Sequence, residues 1–181
     1  MNITVYCGSS TGKDSVYKEK ACEFGDWIGR SGHRLIYGGG GAGLMGAIAD
    51  SVLEAGGEVI GVMPHFLVER EAAHSALTQL ITVDTMTERK ARMVELGDVF
   101  VALPGGPGTL EEISEVISLI RLRKLESIGI LYNVAGYYRP LKDMFEQMVR
   151  AGFIYGEVTE FVKFPESFNE LRRIIEGLKK E

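Results

Sequence analysis

The sequence predicts a doubly wound, Rossmann-like α/β domain, a single parallel sheet of about seven strands with helices on both faces. Three observations carry that reading. Short all-apolar runs alternate with amphipathic stretches along the whole chain. The apolar runs lack the in–out alternation of a half-solvated sheet, as strands covered on both faces do. Glycine clusters follow some of these runs, and ligands on open parallel sheets bind at the carboxyl ends of strands.

The elements follow in order. Ile3 to Cys7 reads as a strand and about Ser15 to Arg30 as a helix. Arg34 to Tyr37 is a second strand, and four consecutive glycines lead into a helix from about Leu44 to Ala55. Glu58 to Met63 is a third strand, stopped by Pro64. An irregular stretch runs through Ser75, then Leu80 to Val83 forms a strand and about Thr85 to Leu96 a helix. Val99 to Leu103 is fully apolar, and the helix after the next glycine cluster runs to about Arg123. Ile128 to Tyr132, a helix near Pro140 to Ala151, Phe161 to Phe164 and a C-terminal helix complete the pattern. No linker, low-complexity tract or internal repeat divides the chain, so residues 1–181 read as one domain.

Composition narrows the function. The chain is 45% hydrophobic and 25% charged, an ordinary soluble balance. A net charge of −5 disfavours a polyanion such as nucleic acid, while a small phosphorylated ligand needs only local amides and one or two cations. No apolar run approaches the ~20 residues that span a membrane. Met1 to Val5 enters a strand without a signal-peptide pattern, so a cytoplasmic location is expected. Cys7 and Cys22 fit no disulfide framework or zinc spacing and read as inert core thiols. His33, His65 and His74 show no metal-ligand spacing and read as solvated or core-edge, so no metal site is expected.

Three loops compete as a phosphate site. Cys7-Gly8-Ser9-Ser10-Thr11-Gly12-Lys13-Asp14 has Cys7 and Asp14 where a Walker loop needs glycine and a hydroxyl, so a triphosphate loop is rejected. Gly8, Ser9 and Ser10 are left as strand-end donors or a plain turn. Gly41, Gly43 and Gly46 make a formal G-x-G-x-x-G, but the next strand ends Val62-Met63-Pro64-His65 with no acid for a ribose hydroxyl. A dinucleotide is therefore disfavoured, and those glycines give close backbone approach to a ligand or a neighbouring helix. The third loop, Pro104-Gly105-Gly106-Pro107-Gly108-Thr109, follows the most apolar strand. Its glycines are expected to permit positive backbone torsions and to turn amides toward an anion, with Thr109 as N-cap or first-turn donor.

Helical geometry separates the acids that follow. At 100° per residue Ile113, Val116, Ile117, Leu119 and Ile120 share an arc, and Glu112 falls inside it while Glu111 and Glu115 fall outside. An inward acid in the first helical turn is costly unless it is used, which selects Glu112 as the catalytic candidate. Glu111 is also compatible with a surface acid favoured by the helix dipole. On the preceding helix Arg89 shares a stripe with Met86 and Met93, as a structural ion-pair residue or a substrate ligand, while Glu88 and Arg92 are expected to pair at i,i+4.

Met86-x-x-Arg89-Lys90 followed by Pro104-Gly105-Gly106-x-Gly108-Thr109-x-x-Glu112 resembles the LOG (Lonely guy) family, over nearly the whole chain. Its members are cytokinin riboside 5′-monophosphate phosphoribohydrolases, often mislabelled lysine decarboxylases. Cys7-Gly8-Ser9-Ser10 and Tyr37-Gly38-Gly39-Gly40 with Gly43-Leu44-Met45-Gly46 are similar to the family's other loops. The resemblance implies N-glycosidic hydrolysis of AMP or an N6-modified nucleoside 5′-monophosphate, giving free base and ribose 5-phosphate. It implies Arg89 and Glu112 as the catalytic pair. It implies substrate contacts at Ser9, Glu71, Met86, Lys90, Gly105, Gly106, Pro107, Gly108, Thr109, Leu110, Glu111 and Ser118. It implies no metal or organic cofactor, and a homodimer. Pro107 stands where many members carry an aromatic residue, and the stretch around His65 to Ser75 also departs from the family. The alternative function is a non-catalytic carrier of a nucleotide or phosphorylated cofactor.

Overall fold

The computed structural model describes residues 1–68 and 73–178. In chain order the elements are β1 (Asn2–Tyr6), α1 (Ser15–Arg30), β2 (Arg34–Tyr37), α2 (Gly43–Glu54), β3 (Glu58–Pro64), α3 (His65–Val68), β4 (Gln79–Val83), α4 (Met86–Leu96) and β5 (Val99–Ala102). They continue with α5 (Pro107–Arg121), β6 (Gly129–Leu131), α6 (Arg139–Arg150), β7 (Val162–Lys163) and α7 (Phe168–Gly177), with 3₁₀ turns at Val134–Gly136 and Val158–Glu160. The strands form one seven-stranded sheet in the order β4-β3-β2-β1-β5-β6-β7, with every strand pair parallel. The predicted irregular stretch after Pro64 in fact opens with the short helix α3, followed by an isolated antiparallel bridge between Gly40 and Ala73.

The strand order fixes where a ligand can sit. The chain leaves β1 on one side to build β2, β3 and β4, then returns to place β5 against the other side of β1. The adjacent crossovers diverge there, leaving a crevice beyond the carboxyl ends of β1 and β5. Tyr6 is level with Ala102 across that junction, and the Leu103 amide donates to the Tyr6 carbonyl at 2.9 Å.

Each face of the sheet has its own core. On one, Ile3, Val5 and Cys7 pack with Phe24 and Ile28 of α1, Ile48 and Val52 of α2, and Leu171 and Ile175 of α7. On the other, Tyr6, Phe100 and Ala102 pack with Met93 of α4, Ile113, Val116 and Ile117 of α5, and Phe145 of α6. Continuous apolar strands result because alternate residues of one strand face different cores. Cys7 is buried, but Cys22 is only half-buried in α1, so the reading of two core thiols holds for the first alone.

The helix starts depart from expectation in instructive ways. Thr85 caps α4 by accepting from the Glu88 amide at 3.1 Å, while the Glu88 carboxylate accepts from the Asp84 amide at 2.9 Å. That occupies Glu88, and Arg92 pairs with Glu95 at 2.6 Å, so the expected Glu88–Arg92 pair does not form. Thr109 is a first-turn residue rather than the cap, since Gly106 caps α5 and Pro107 follows it.

Candidate active site

A cavity of about 270 Å³ occupies the crevice at the switch point. β1 and its loop supply one wall, α4 contributes Met86, Arg89 and Met93, and the start of α5 contributes Gly106 to Thr109 with Glu111 and Glu112. Ser9, Met86, Arg89, Gly106, Pro107, Gly108, Thr109, Glu111 and Glu112 therefore come together as the sequence led us to expect.

Arg89 is fixed by backbone. Its Nε donates to the Val62 carbonyl at 3.1 Å and its Nη2 to the Gly38 carbonyl at 3.1 Å, so the ends of β3 and β2 hold the guanidinium. Gly38 is the condition for this seat: a Cβ there would lie 2.0 Å from Arg89 Nη2. The remaining nitrogen, Nη1, lies 3.9 Å from Glu112 Oε1, with both side chains about one-tenth exposed. A buried guanidinium and a carboxyl about one-tenth exposed thus stand at the limit of an ion pair.

Burial is the largest influence on Glu112 and pushes its carboxyl up to about 7. Arg89 and, more weakly, Lys90 pull it down, while Glu111 and Glu115 push it up. An acid that ionises near neutrality can exchange a proton with a reacting group at working pH. Glu111 is more than half exposed and Glu112 about one-tenth, so the two acids point outward and inward as the helical arc predicts. Cys7 also lines the cavity, but burial and the nearby Glu112 push its thiol up, which leaves it an unreactive neutral group.

The two glycine-rich helix starts are not equivalent. At α2 the Leu44 and Met45 amides donate to the Gly8 carbonyl at 3.1 and 3.3 Å, and Gly43, at φ +65°, sits where a Cβ would strike the Ser9–Ser10 backbone. Those donors are spent on a neighbouring loop, so the formal G-x-G-x-x-G serves close packing of loop on loop. At α5 the cap residue has no side-chain hydrogen bond, and Cβ positions at Gly106 and Gly108 would meet nothing within 4 Å. Gly105 differs, because a Cβ there would lie 2.2 Å from Thr109 Oγ1 and 2.9 Å from the Gly8 nitrogen. The expected positive torsions in this turn are absent, whereas the other two candidate loops have them at Gly12, Gly39 and Gly43. Glycine at 105 answers a close approach, and at 106 and 108 it leaves open space beside a helix N-terminus that favours an anion.

Other expected contacts fall elsewhere. The Lys90 ammonium is turned to Glu111 and Glu115, at 2.9 Å from the latter, and ties α4 to α5 outside the cavity lining. Gly105 lines an adjoining pocket with Tyr17 and Tyr137. Leu110 is exposed, and the exposed Ser118 hydroxyl donates to the Ser114 carbonyl at 2.9 Å. Glu71 lies outside the described residues. His33 is buried edge-on to Trp27, His65 is exposed, and His74 Nε2 lies 2.9 Å from Asp50 Oδ1. Among the described residues no group of three or more His, Cys, Asp or Glu side chains is placed to hold a metal ion, and no helix is long and apolar enough to cross a membrane.

The sequence reading singled out neither Tyr6 nor Gly38 as a site residue. Tyr6 was detectable only as a polar tip at the end of an apolar strand, and Gly38 only as one of four glycines.

Residues 45–175 match a family model described as "Possible lysine decarboxylase". Over 154 residues the chain is 46% identical to a cytokinin riboside 5′-monophosphate phosphoribohydrolase of Rhodococcoides fascians, covering 84% of this chain and 78% of that one. It is 38% identical over 174 residues to an Arabidopsis thaliana protein of the same name, covering 96% and 81%. The molybdenum cofactor carrier protein of Chlamydomonas reinhardtii superposes with a TM-score of 0.75 at 20% identity, over 99% of this chain and 98% of that one, which shows the shared fold.

Proposed function

The chain belongs to the LOG family of cytokinin riboside 5′-monophosphate phosphoribohydrolases, and we propose that its cavity hydrolyses the N-glycosidic bond of AMP or an N6-modified AMP. The observation that carries this is the Arg89–Glu112 pair lining one small cavity together with the glycine-capped start of α5. In this reading the substrate phosphate lies on the Gly106–Thr109 turn, with Ser9 beside it. Binding energy from the phosphate orients a bond several ångströms away without being consumed in breaking it.

The ribose then lies against Glu112. As the C1′–N bond breaks, its electron pair leaves with the base and positive charge grows on the ribose. The Glu112 carboxylate opposes that charge and takes a proton from the water that bonds to C1′; the departing base is protonated from solvent, and Glu112 gives its proton back to solvent. Arg89 holds Glu112 in its ionised form and presents Nη1 to the substrate. Met86 lies on the base side, and Lys90 keeps Glu111 and Glu115 in place at the rim. The chemistry needs no metal or organic cofactor. We place the enzyme in the cytoplasm as a homodimer, and light scattering of the purified protein would reveal the assembly.

Chromatography of reactions with AMP, N6-isopentenyladenosine 5′-monophosphate and adenosine tests the assignment. Both monophosphates should release free base, and adenosine at least ~100-fold more slowly, since it lacks the group that orients it. A folded protein that releases base from neither monophosphate would overturn the proposal, and tight AMP retention without turnover would point to a carrier.

A further inference from the structure

Tyr6 is a further polar side chain of the cavity, and the role inferred for it rests on the hydrolase reading of the same site. Alternation along β1 sends Val5 and Cys7 to one core and Tyr6 to the other, among Met93, Ile113, Val116 and Ile117. Tyr6 is only 2% exposed, yet it lines the cavity together with Arg89 and Glu112. A buried phenol ordinarily has a hydrogen-bond partner. Tyr138, on the same side of the sheet, donates to the Leu103 carbonyl at 2.7 Å, and Tyr37 donates to the Gly40 carbonyl at 3.3 Å. No hydrogen bond joins the Tyr6 hydroxyl to another of the described residues, and the cavity that Tyr6 lines also presents Arg89 and Glu112.

The charged groups acting on it are Glu112 and Glu115 from α5 and Arg89 from α4. Burial and the two carboxylates push the phenol above its ordinary range, so it is a neutral O–H donor at any working pH. Glu112 is an acceptor when ionised. The two side chains line one cavity and are not bonded to each other among the described residues, so a hydrogen-bonded link between them would run through a third group.

We propose that the Tyr6 hydroxyl donates a hydrogen bond to the attacking water and holds it against Glu112. One lone pair of the water accepts from Tyr6, one of its protons passes to Glu112, and the other lone pair forms the bond to C1′. The C1′–N bond breaks as that bond forms and its electrons leave with the base, which takes a proton from solvent while Glu112 returns its own to solvent; Tyr6 keeps its proton throughout. A fixed water costs less ordering at the moment of reaction, which lowers the barrier and leaves phosphate binding alone.

The test is Tyr6→Phe, which removes one oxygen and keeps the packed ring. For AMP, kcat should fall ~10- to 100-fold while KM stays within ~3-fold, the split expected for an interaction used in the transition state. A second readout is internal to each turnover and so does not depend on the folded fraction. With methanol added as a competing nucleophile, the ratio of methyl ribose 5-phosphate to ribose 5-phosphate should rise at least ~3-fold in Tyr6→Phe, because water loses its reserved place. Full kcat, or an unchanged methanol ratio, would overturn the proposal. A raised KM at unchanged kcat would assign the hydroxyl to the substrate ribose and overturn it equally. Absence of base release by the wild type would instead overturn the hydrolase reading, before any variant is compared.

Discussion

Replacing Glu112 with Gln should abolish turnover and yet stabilise the unliganded fold, with a pH dependence that identifies the cause. The carboxyl has an ordinary value of 4.5 and stands at about 7 in the folded protein, chiefly because it is buried. The folded state therefore binds more protons than the unfolded chain between those two values. The sign follows: this group's contribution to stability is greatest below 4.5, falls as pH rises toward 7, and is fully lost above it. The gap of about 2.5 pH units corresponds to about 3 kcal/mol at ~1.36 kcal/mol per unit, an upper bound because Gln reproduces neutral Glu imperfectly. For a chain of this size about 3 kcal/mol is a rise of roughly 6–12 °C in melting midpoint. Thermal melts of both proteins from pH 4 to 9, without phosphate, should show midpoints that agree near pH 4 and separate to a plateau above pH 8. A variant less stable than the wild type at pH 8, or a difference independent of pH, would refute the account of Glu112 as a desolvated carboxylate.

Other expectations follow from the same geometry. Gly38→Ala should expel the Arg89 guanidinium, which a Cβ would meet at 2.0 Å, and cost about 3 kcal/mol with most of the activity; wild-type melting and base release would contradict it. The two glycines of the α5 turn should behave oppositely in melts and AMP titrations. Gly105→Ala should destabilise through Thr109 and the Gly8 backbone, while Gly108→Ala should raise stability by up to about 1 kcal/mol and weaken AMP binding. A Gly108→Ala protein with wild-type affinity would remove that turn from the phosphate site. The pH dependence of kcat/KM should have an acidic limb near 7, activity rising as Glu112 ionises, and a flat profile from pH 5 to 8 would exclude it as base.

What was legible in the sequence is what repeats locally. Apolar runs and helical arcs placed all seven strands and separated Glu112 from Glu111, because strand burial and helix rotation are set within a few residues. Contacts between distant segments were not legible. The donors of α2 are spent on the Gly8 carbonyl, so only the fold shows which glycine-rich helix start is free. Arg89 is seated on carbonyls 27 and 51 residues away, and nothing around Arg89 in the chain announces them. Glu88 and Arg92 fit the spacing of a pair and each found another partner. Tyr6 was hidden for a related reason: a strand buried on both faces has no polar side against which an inward phenol stands out.

In the proposed reaction Glu112, opposite Arg89, drives cleavage of the N-glycosidic bond of a phosphate-anchored nucleotide. The most direct measurement is base release from AMP by wild-type protein and Glu112→Gln, with AMP affinity determined on the same preparations. The wild type should yield adenine and ribose 5-phosphate in equal amounts, and Glu112→Gln should bind AMP at least as tightly with turnover reduced ~10³-fold or more. Equal base release by the two proteins would contradict it.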